Sequence, residues 1–329
     1  MLQHAVETLP NRKFGYCTDD VARAFMVVLA HGRLAPSQDL GRRLTANYLA
    51  FLQHAQLDDG RFHNFMDYDR RWADEIGTHD SCGRAIWAIG YGVEHAPTEA
   101  WRRVCARMLE RALPSLDWLQ YPRSQAYAIL GLAHAQSGLP APGYAAALRE
   151  LTEKLAEMYA SVAEKKWQWF EDAMTYDNAR LPEALMRAGR VLEHDPYAQI
   201  GLAALRFYET VTIERGIFVP IGNDGWYERG GARARYAQQP LEAAAMLDAE
   251  LAAYDLTSDA AHAATAQAAL GWYYGKNSRG VQMAHGGACY DGLDEHTVNM
   301  NCGAESTLAF LAAAYCAALR RARVLEAVR

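Results

Sequence analysis

The sequence predicts an all-α fold, a single (α/α)6 toroid of helical hairpins over residues 1–329. Three observations predict it. Helical periodicity recurs along the whole chain without a convincing set of strands. Apolar helices rich in Ala and Gly alternate with amphipathic helices, and short turns alternate with long polar loops. The strongest rival, an α-solenoid, would show a sequence repeat of fixed period, and the sequence shows none.

Eleven helical segments are expected, separated within a pair by turn residues such as His-Gly and Asp-Pro. They span residues 19–31, 38–54, 80–93, 98–113, 123–136, 142–163, 179–192, 196–213, 239–253, 259–275 and 303–322. Eleven helices make five and a half hairpins. We therefore expect a ring that is incomplete by one helix, or that is completed by the N-terminal segment or a partner chain.

The helices fall into two classes that indicate an inner and an outer layer. Three are apolar on nearly every side: HDSCGRAIWAIGYG, SQAYAILGLAHAQSG and GAESTLAFLAAAYCAAL. Others have a charged face and an apolar stripe, as in AWRRVCARMLERAL and YAAALRELTEKLAEMYASV. Helices of the first class are expected to be packed all round, and those of the second to face solvent on one side.

Four long loops precede apolar helices and are rich in aromatic, acidic and amide residues. They occupy residues 58–80, 165–182, 218–240 and 281–306. Loops of this length are usually functional or disordered, and their Trp, Tyr and Phe content argues against disorder.

Composition and charge exclude several classes of protein. The chain is 51% hydrophobic, and its 33 Lys and Arg against 39 Asp and Glu leave a net charge of -6. The basic residues are scattered, so a nucleic acid partner is not expected. The N-terminus lacks the features of a signal peptide, and no apolar run is long enough to span a membrane. We expect a cytoplasmic protein with no membrane partner.

Cysteine and metal chemistry are not expected. The six cysteines form no C-x-x-C pair and are interpreted as mostly buried thiols. Available metal ligands lack the spacing of zinc or calcium motifs; they are His63, His79, Asp67, Asp69 and His285. No metal and no cofactor are predicted.

Polar residues cluster at the starts of the predicted inner helices. Asp19 and Asp20 precede the first, where helix N-H groups favour negative charge. Thr18 is already a candidate N-cap, so one acid is not needed for capping. The same pattern recurs at other helix starts, with His79, Asp80, Arg84, Asp177, Asn178, Arg180, Gln239, Asn301 and Glu305. In a toroid these starts would line one concave mouth.

Such a mouth suits a sugar, because aromatic rings stack on sugar C-H faces while carboxylates, amides and guanidinium groups bind hydroxyls. The aromatic candidates for substrate binding are Trp72, Trp169, Tyr176, Trp226 and Tyr236. Paired carboxylates then suggest glycoside hydrolysis. The catalytic candidates, each in or at the end of a long loop, are Asp80, Glu171, Asp172 and Asp224. For any one acid, helix capping or bracing of an arginine is the alternative.

Five stretches together resemble a known family: GYCTDDVARA, THDSCGRAIWAIG, FEDAMTYDNARLPEAL, NDGWYERGGARARYAQQPLEAAAMLDA and VNMNCGAESTLAFL. They resemble the helical-toroid domain of the six-hairpin glycosidase superfamily, which occurs alone or joined to glycosyltransferase-like proteins, and near mannoside-processing genes. The resemblance covers about residues 3–320. It implies the (α/α)6 fold and a carbohydrate-active role, but no catalytic assignment. Relatives usually carry more helix before the first motif, so we expect a shortened ring that is completed by homo-oligomerisation.

The leading hypothesis is a glycoside hydrolase that acts on a small oligosaccharide, a mannoside or a glucoside. The alternatives are a sugar epimerase or isomerase that uses a histidine such as His79 or His285, and a catalytically silent glycan-binding module associated with a glycosyltransferase.

Overall fold

The computed structural model describes residues 2–36 and 39–327, with side chains described as far as residue 321. These residues form eleven α-helices and a short 3-10 helix, Leu113–Trp118. The α-helices are α1 (Thr18–Leu34), α2 (Asp39–Ala55), α3 (His79–His95), α4 (Glu99–Ala112), α5 (Pro122–Gly138), α6 (Pro142–Val162), α7 (Arg180–Val191), α8 (Asp195–Thr212), α9 (Pro240–Thr257), α10 (Ala260–Tyr273) and α11 (Ala304–Ala327).

Each of the eleven predicted helices is present. The largest difference is at the last helix, which extends to Ala327. The predicted start of the second helix, at residue 38, lies outside the described residues. The expected lack of a strand set holds only in part, because the long loops contain two-residue strands. The strands are β1 (Ala5–Val6), β2 (Leu9–Pro10), β3 (Tyr16–Cys17), β4 (Phe65–Met66), β5 (Ala173–Met174), β6 (Ile213–Glu214), β7 (Ile217–Phe218), β8 (Tyr227–Glu228), β9 (Ala284–His285), β10 (Ala288–Cys289), β11 (Gly292–Leu293) and β12 (Val298–Asn299).

The chain divides into two compact units. The first is formed by the described residues of Met1–His4, Pro10–Leu148 and Leu311–Arg329. The second comprises Ala5–Leu9 and Arg149–Phe310. The expectation of one domain over the whole chain stays a prediction.

In the first unit, α3 packs between α1 and α5. It is buried on nearly every side, as its apolar sequence predicts. Glycine permits a very close contact with α5, because a Cβ on Gly90 would overlap the carbonyl oxygen of Gly131. Gly83 meets the backbone of Ser124 in the same way. The N-terminal ends of α3 and α5 are therefore held together through their backbones.

In the second unit, α7 packs against α8 and α9, and α9 packs against α10. Helix α9 is rich in Ala and mostly buried, yet three of its four acids are buried or half-buried, namely Glu242, Asp248 and Glu250. Short antiparallel strand pairs connect the loops of the second unit: β5 with β8, β6 with β7, β9 with β10, and β11 with β12. A buried acid needs a donor, a cation or a proton, so these three residues mark places where the helix contacts polar groups.

Side-chain caps begin three helices. The hydroxyl of Thr78 accepts from the N-H of Ser81 at the start of α3, at 3.1 Å. Thr98 and Asp259 cap α4 and α10 in the same way. The prediction that Thr18 caps α1 is wrong, because the residue before the helix is Cys17 and no side chain caps it. Among the described residues, none of the helices has the length and apolar character needed to cross a membrane.

Candidate functional site

The paired acid at the start of α1 binds two arginines. One oxygen of Asp19 lies 2.5 Å from Nη1 of Arg23, and the other lies 2.5 Å from Nε of Arg84 on α3. Asp20 is buried and pairs with Arg23 at 3.2 Å. Burial raises the pKa of Asp19, but the two guanidinium groups outweigh it and hold the pKa below its usual range. Asp19 is therefore ionised and ties α1 to α3.

Arg84 extends this contact to α5. Its guanidinium lies over the ring of Tyr127, 4.0 Å from the centroid. Tyr127 is fully buried. The contacts from Asp19 through Arg84 to Tyr127 join α1, α3 and α5 near their N-terminal ends. The guanidinium group of Arg84 is held by the Asp19 carboxylate and by a cation-π contact with Tyr127.

His79 is the first residue of α3 and lies among aromatic rings. Its imidazole stacks on Trp118, with ring centroids 3.9 Å apart and planes 10° apart. The ring of Tyr121, which is 58% exposed, meets it edge-on at 4.9 Å. Nδ1 of His79 is buried and has no hydrogen-bond partner among the described residues. Asp80 follows directly and is half-buried.

Trp118 and Tyr121 were not among the residues predicted for the site. Their signal is the stretch LDWLQYP, which ends at Pro122, the first residue of α5. This stretch has the aromatic character of the other loops that lead into inner helices, but it is short and was therefore overlooked. The guanidinium of Arg61 also lies over Trp118, 5.4 Å from the ring centroid.

Trp72 is half-buried and contributes to an aromatic cluster. Its indole stacks on His63, with centroids 4.6 Å apart and planes 10° apart. The loop that carries both residues is held by Asp74, whose carboxylate accepts from the N-H groups of Asn64 and Phe65 at 2.8–3.1 Å. One face of Trp72 is thus occupied by protein.

In the second unit, the residues before α7 are held by Glu242, which the sequence analysis did not select. Its carboxylate accepts from the N-H groups of Asp177 and Asn178, from the Asn178 amide at 3.3 Å, and from the Tyr208 hydroxyl at 3.0 Å. Burial and the neighbouring Asp177 carboxylate raise the pKa of Glu242 to about 7. The detectable signal was a single acid in the first turn of α9, followed by five apolar residues.

Arg180 lies in a second buried network on α7 and α9. Nη1 of Arg180 contacts Glu183 at 2.5 Å and Asp248 at 2.8 Å, while its Nε lies 3.5 Å from Asp177. Although burial acts in the opposite direction, these carboxylates raise the pKa of Arg180. Because Asp177, Asn178 and Arg180 are buried in intramolecular bonds, we assign them to bracing rather than to ligand contact.

The next candidates lie on the paired strands β5 and β8. Asp172 has a side chain that is 75% exposed and forms an ion pair with Arg229. The two residues help to line a shallow open groove. Glu171 is half-buried, and its backbone carbonyl accepts from the indole of Trp167 at 2.7 Å. Trp169 is fully buried and stacks on Tyr208, so we assign it to the core rather than to a sugar.

Trp226 has the geometry of a stacking platform. It is 41% exposed, and its indole N-H donates to Oδ1 of Asn223 at 2.8 Å, which fixes the ring orientation. Its φ of 54° is in the left-handed region. Asp224 lies exposed on the same turn. A rigid, exposed indole presents its face at a small cost in conformational entropy.

The remaining candidates lie in the loops that lead into α7, α9 and α11. Tyr236, Tyr176 and Gln239 are half-buried, and Gln239 immediately precedes α9. Asn301 accepts from the N-H of Glu7 at 3.0 Å. Glu305 lies in the first turn of α11 and is half-buried.

The structure thus brings the candidates together as two local groups, each within one unit. The first contains Asp19, Asp20, His79, Asp80 and Arg84, with Trp72 in the adjoining loop cluster. The second contains Asp177, Asn178 and Arg180 around Glu242, with Asp172 and Trp226 joined through the β5–β8 pair.

No protein-family profile matches the chain, and no curated protein matches it. Solved structures do. A sugar epimerase from a ruminal bacterium is 11% identical with a TM-score of 0.73, over 95% of this chain and 90% of that chain. D-mannose isomerase is 13% identical with a TM-score of 0.72, over 96% and 90%. A GH76 α-mannanase from Bacteroides thetaiotaomicron is 10% identical with a TM-score of 0.64, over 94% and 88%.

Likenesses at this level of identity define the fold. The chain has the (α/α)6 toroid fold of these solved structures, and the fold class predicted from the sequence is confirmed.

Proposed function

We propose that the protein is a carbohydrate-active enzyme that transfers a proton on a free sugar, as an epimerase or an isomerase. The observation that carries this proposal is His79. Its imidazole is held between Trp118 and Tyr121 at the start of α3, and its buried Nδ1 has no partner among the described residues. A structural histidine with a buried ring nitrogen usually bonds that nitrogen to a neighbour.

The chemistry follows from the side chain. In an open-chain sugar, a base removes the proton on the carbon next to the carbonyl and leaves an enediolate. Delivery of a proton to the other face of that carbon gives the epimer. Delivery to the former carbonyl carbon gives the isomer, while the hydroxyl proton of the neighbouring carbon passes to the former carbonyl oxygen. Imidazole accepts and returns protons near neutral pH. The exposed ring of Tyr121 beside it is suited to the C-H face of a sugar.

The comparisons support this class of reaction. The solved structures with TM-scores of 0.73 and 0.72 are a sugar epimerase and D-mannose isomerase. Because the sequence identity to these structures is low, the proposal depends on the residues of this chain.

The test is incubation of the protein with glucose, mannose, fructose and cellobiose in D2O, followed by NMR. We expect deuterium next to the carbonyl carbon and a new isomer. His79→Gln should lower kcat at least about a hundredfold. His296→Ala, at a side chain that is 85% exposed, is the control and should leave kcat unchanged. Full activity of His79→Gln, or loss only in His285→Ala, would contradict the assignment to His79.

Glycoside hydrolysis is the second candidate, because exposed acids and a fixed indole share the loops joined by β5 and β8. Asp172, Asp224 and Trp226 would then contact the substrate, and the GH76 α-mannanase has the same fold. This reaction predicts release of reducing sugar from aryl mannosides or glucosides, with loss in Asp172→Asn or Asp80→Asn. Saturable sugar binding without either reaction would indicate a glycan-binding module.

A further inference from the structure

A second cluster of titratable side chains lies on α8, α9 and α10, outside the groups described above. It consists of Glu209, Glu250 and His262, whose candidate ligand atoms all lie within 4.8 Å of one another. Glu250 is eight residues beyond Glu242 on α9, about 12 Å along a helix. The cluster is therefore separate from the carboxylate that holds the start of α7.

The cluster contains a buried oxygen without a partner. The side chain of Glu250 is 0% exposed, and its Oε2 lies 2.7 Å from Nδ1 of His262. Its other oxygen, Oε1, is buried and has no hydrogen-bond partner among the described residues. A buried carboxylate oxygen left unpaired is costly, so the site calls for a proton or a cation.

The charges in the cluster do not balance. Two carboxylates carry two negative charges when ionised, whereas His262 carries at most one positive charge. Glu209 itself is half-buried and accepts from the Thr265 hydroxyl at 3.3 Å. Its partial exposure gives an ion a route from solvent.

We infer that Glu209, Glu250 and His262 form a binding site for a divalent transition-metal ion, with zinc as the best match. Two carboxylate oxygens and one imidazole nitrogen are a normal zinc donor set, with metal-ligand distances of about 2.0–2.2 Å. The three ligand atoms already lie within 4.8 Å of one another, which is close enough for one ion to be shared among them after side-chain adjustment.

The chain offers a matched control in a second histidine cluster. Glu94, His95 and His134 lie at the C-terminal ends of α3 and α5, and Glu94 already contacts His134 at 2.6 Å. In this cluster both histidines contact the same carboxylate oxygen, Oε2 of Glu94, so that oxygen has partners without an ion. Substitution of His134 therefore removes an alternative zinc site without touching the proposed one.

The experiment is a zinc titration of EDTA-treated full-length protein against a chromophoric chelator, with a parallel thermal-shift measurement. We expect one zinc ion bound with a Kd below about 10 μM, and a higher Tm with zinc. His134→Gln should behave like the unchanged protein. Glu250→Gln and His262→Gln should each weaken binding at least tenfold and abolish the zinc-dependent rise in Tm. If Glu250→Gln does not fold, His262→Gln tests the site by itself.

X-ray absorption at the zinc edge separates this site from the free cysteines. Ligand distances of about 2.0–2.1 Å indicate nitrogen and oxygen, whereas about 2.3 Å indicates sulfur. Equal zinc binding by Glu250→Gln, zinc-sulfur distances, or loss of binding in His134→Gln alone would overturn the proposal. So would the absence of any zinc effect, which would leave a proton shared by the two glutamates as the explanation.

Discussion

Asp19 and Glu242 are both largely buried carboxylates in the first turn of a helix, yet their partners differ in charge. Asp19, in the first unit, lies between the guanidinium groups of Arg23 and Arg84. Glu242, in the second unit, accepts from two backbone N-H groups, an amide and a phenol. The pKa of Asp19 is lowered, whereas the pKa of Glu242 is raised to about 7.

The difference teaches that hydrogen-bond donors alone do not compensate a buried charge. Four neutral donors hold the Glu242 carboxyl group in place, but burial and Asp177 still raise its pKa. Two cations do compensate Asp19, since their combined effect exceeds that of burial. A carboxyl group held as Glu242 is can change its protonation near neutral pH, while Asp19 stays ionised.

The largest expected effect is that of Asp19→Ala. This change removes the carboxylate beside Nε of Arg84 and leaves Arg23 with the longer contact to Asp20, so it should lower the free energy of unfolding by about 3–5 kcal/mol. Chemical denaturation at pH 7 measures it. Glu150→Ala is the control, because it breaks an exposed pair with Lys154 and should cost less than about 1 kcal/mol. Equal costs would show that the arginines do not depend on Asp19.

The second prediction concerns Glu242→Gln and pH. The pKa of Glu242 is about 7 in the folded protein and near its ordinary value of 4.5 when unfolded. Between these pH values the folded state binds more protons, so the contribution of Glu242 to stability falls as pH rises. At about 1.4 kcal/mol per pKa unit, the fall is at most about 3.5 kcal/mol.

Subtraction of the Glu242→Gln curve from that of the unchanged protein isolates this contribution from other acids. The difference should decline from pH 4.5 to 7 and then level off. For Asp19 the sign is reversed. Its lowered pKa contributes stability above the ordinary value of 3.8, and this stability is lost as pH falls through the folded-state pKa. Curves of the same sign would refute the comparison.

The smallest expected effect is that of Tyr208→Phe. The change removes one donor from Glu242, keeps the ring that stacks on Trp169, and should cost about 1–2 kcal/mol. It should also move the pH-dependent fall of stability to higher pH. Tyr273→Phe is the matched control, since this buried hydroxyl donates to the carbonyl of Pro240 and not to a carboxylate. Its pH profile should be unchanged.

Helices were predictable from the sequence, whereas the strands were not. The positions of α3 and α5 follow from long apolar segments with clear start and stop residues, which a local pattern encodes. The pairing of β5 with β8 joins segments more than fifty residues apart through only two residues each. Strands of that length have no measurable alternation, so their partners are set by tertiary structure.

The candidate site was predictable in part, because residue type is local but partnership is not. Asp19 and Arg84 were both identified, yet their contact joins different helices. Trp169 was selected for its place in an aromatic loop, and only packing against Tyr208 shows that it is buried. Glu242 was missed because an acid in the first turn of a helix is an ordinary residue at that position.

The glycine contact between α3 and α5 has a consequence for how this scaffold can change. Where Gly90 meets the backbone of Gly131, main-chain atoms set the separation of the two helices. A larger side chain at this contact would overlap the opposite backbone. His79 is carried by the first of these helices and Tyr121 adjoins the second, so substitutions in the interior cannot move one relative to the other by small steps. A new ligand preference would therefore require replacement of the surrounding segments, while the packing of α3 against α5 stays the same.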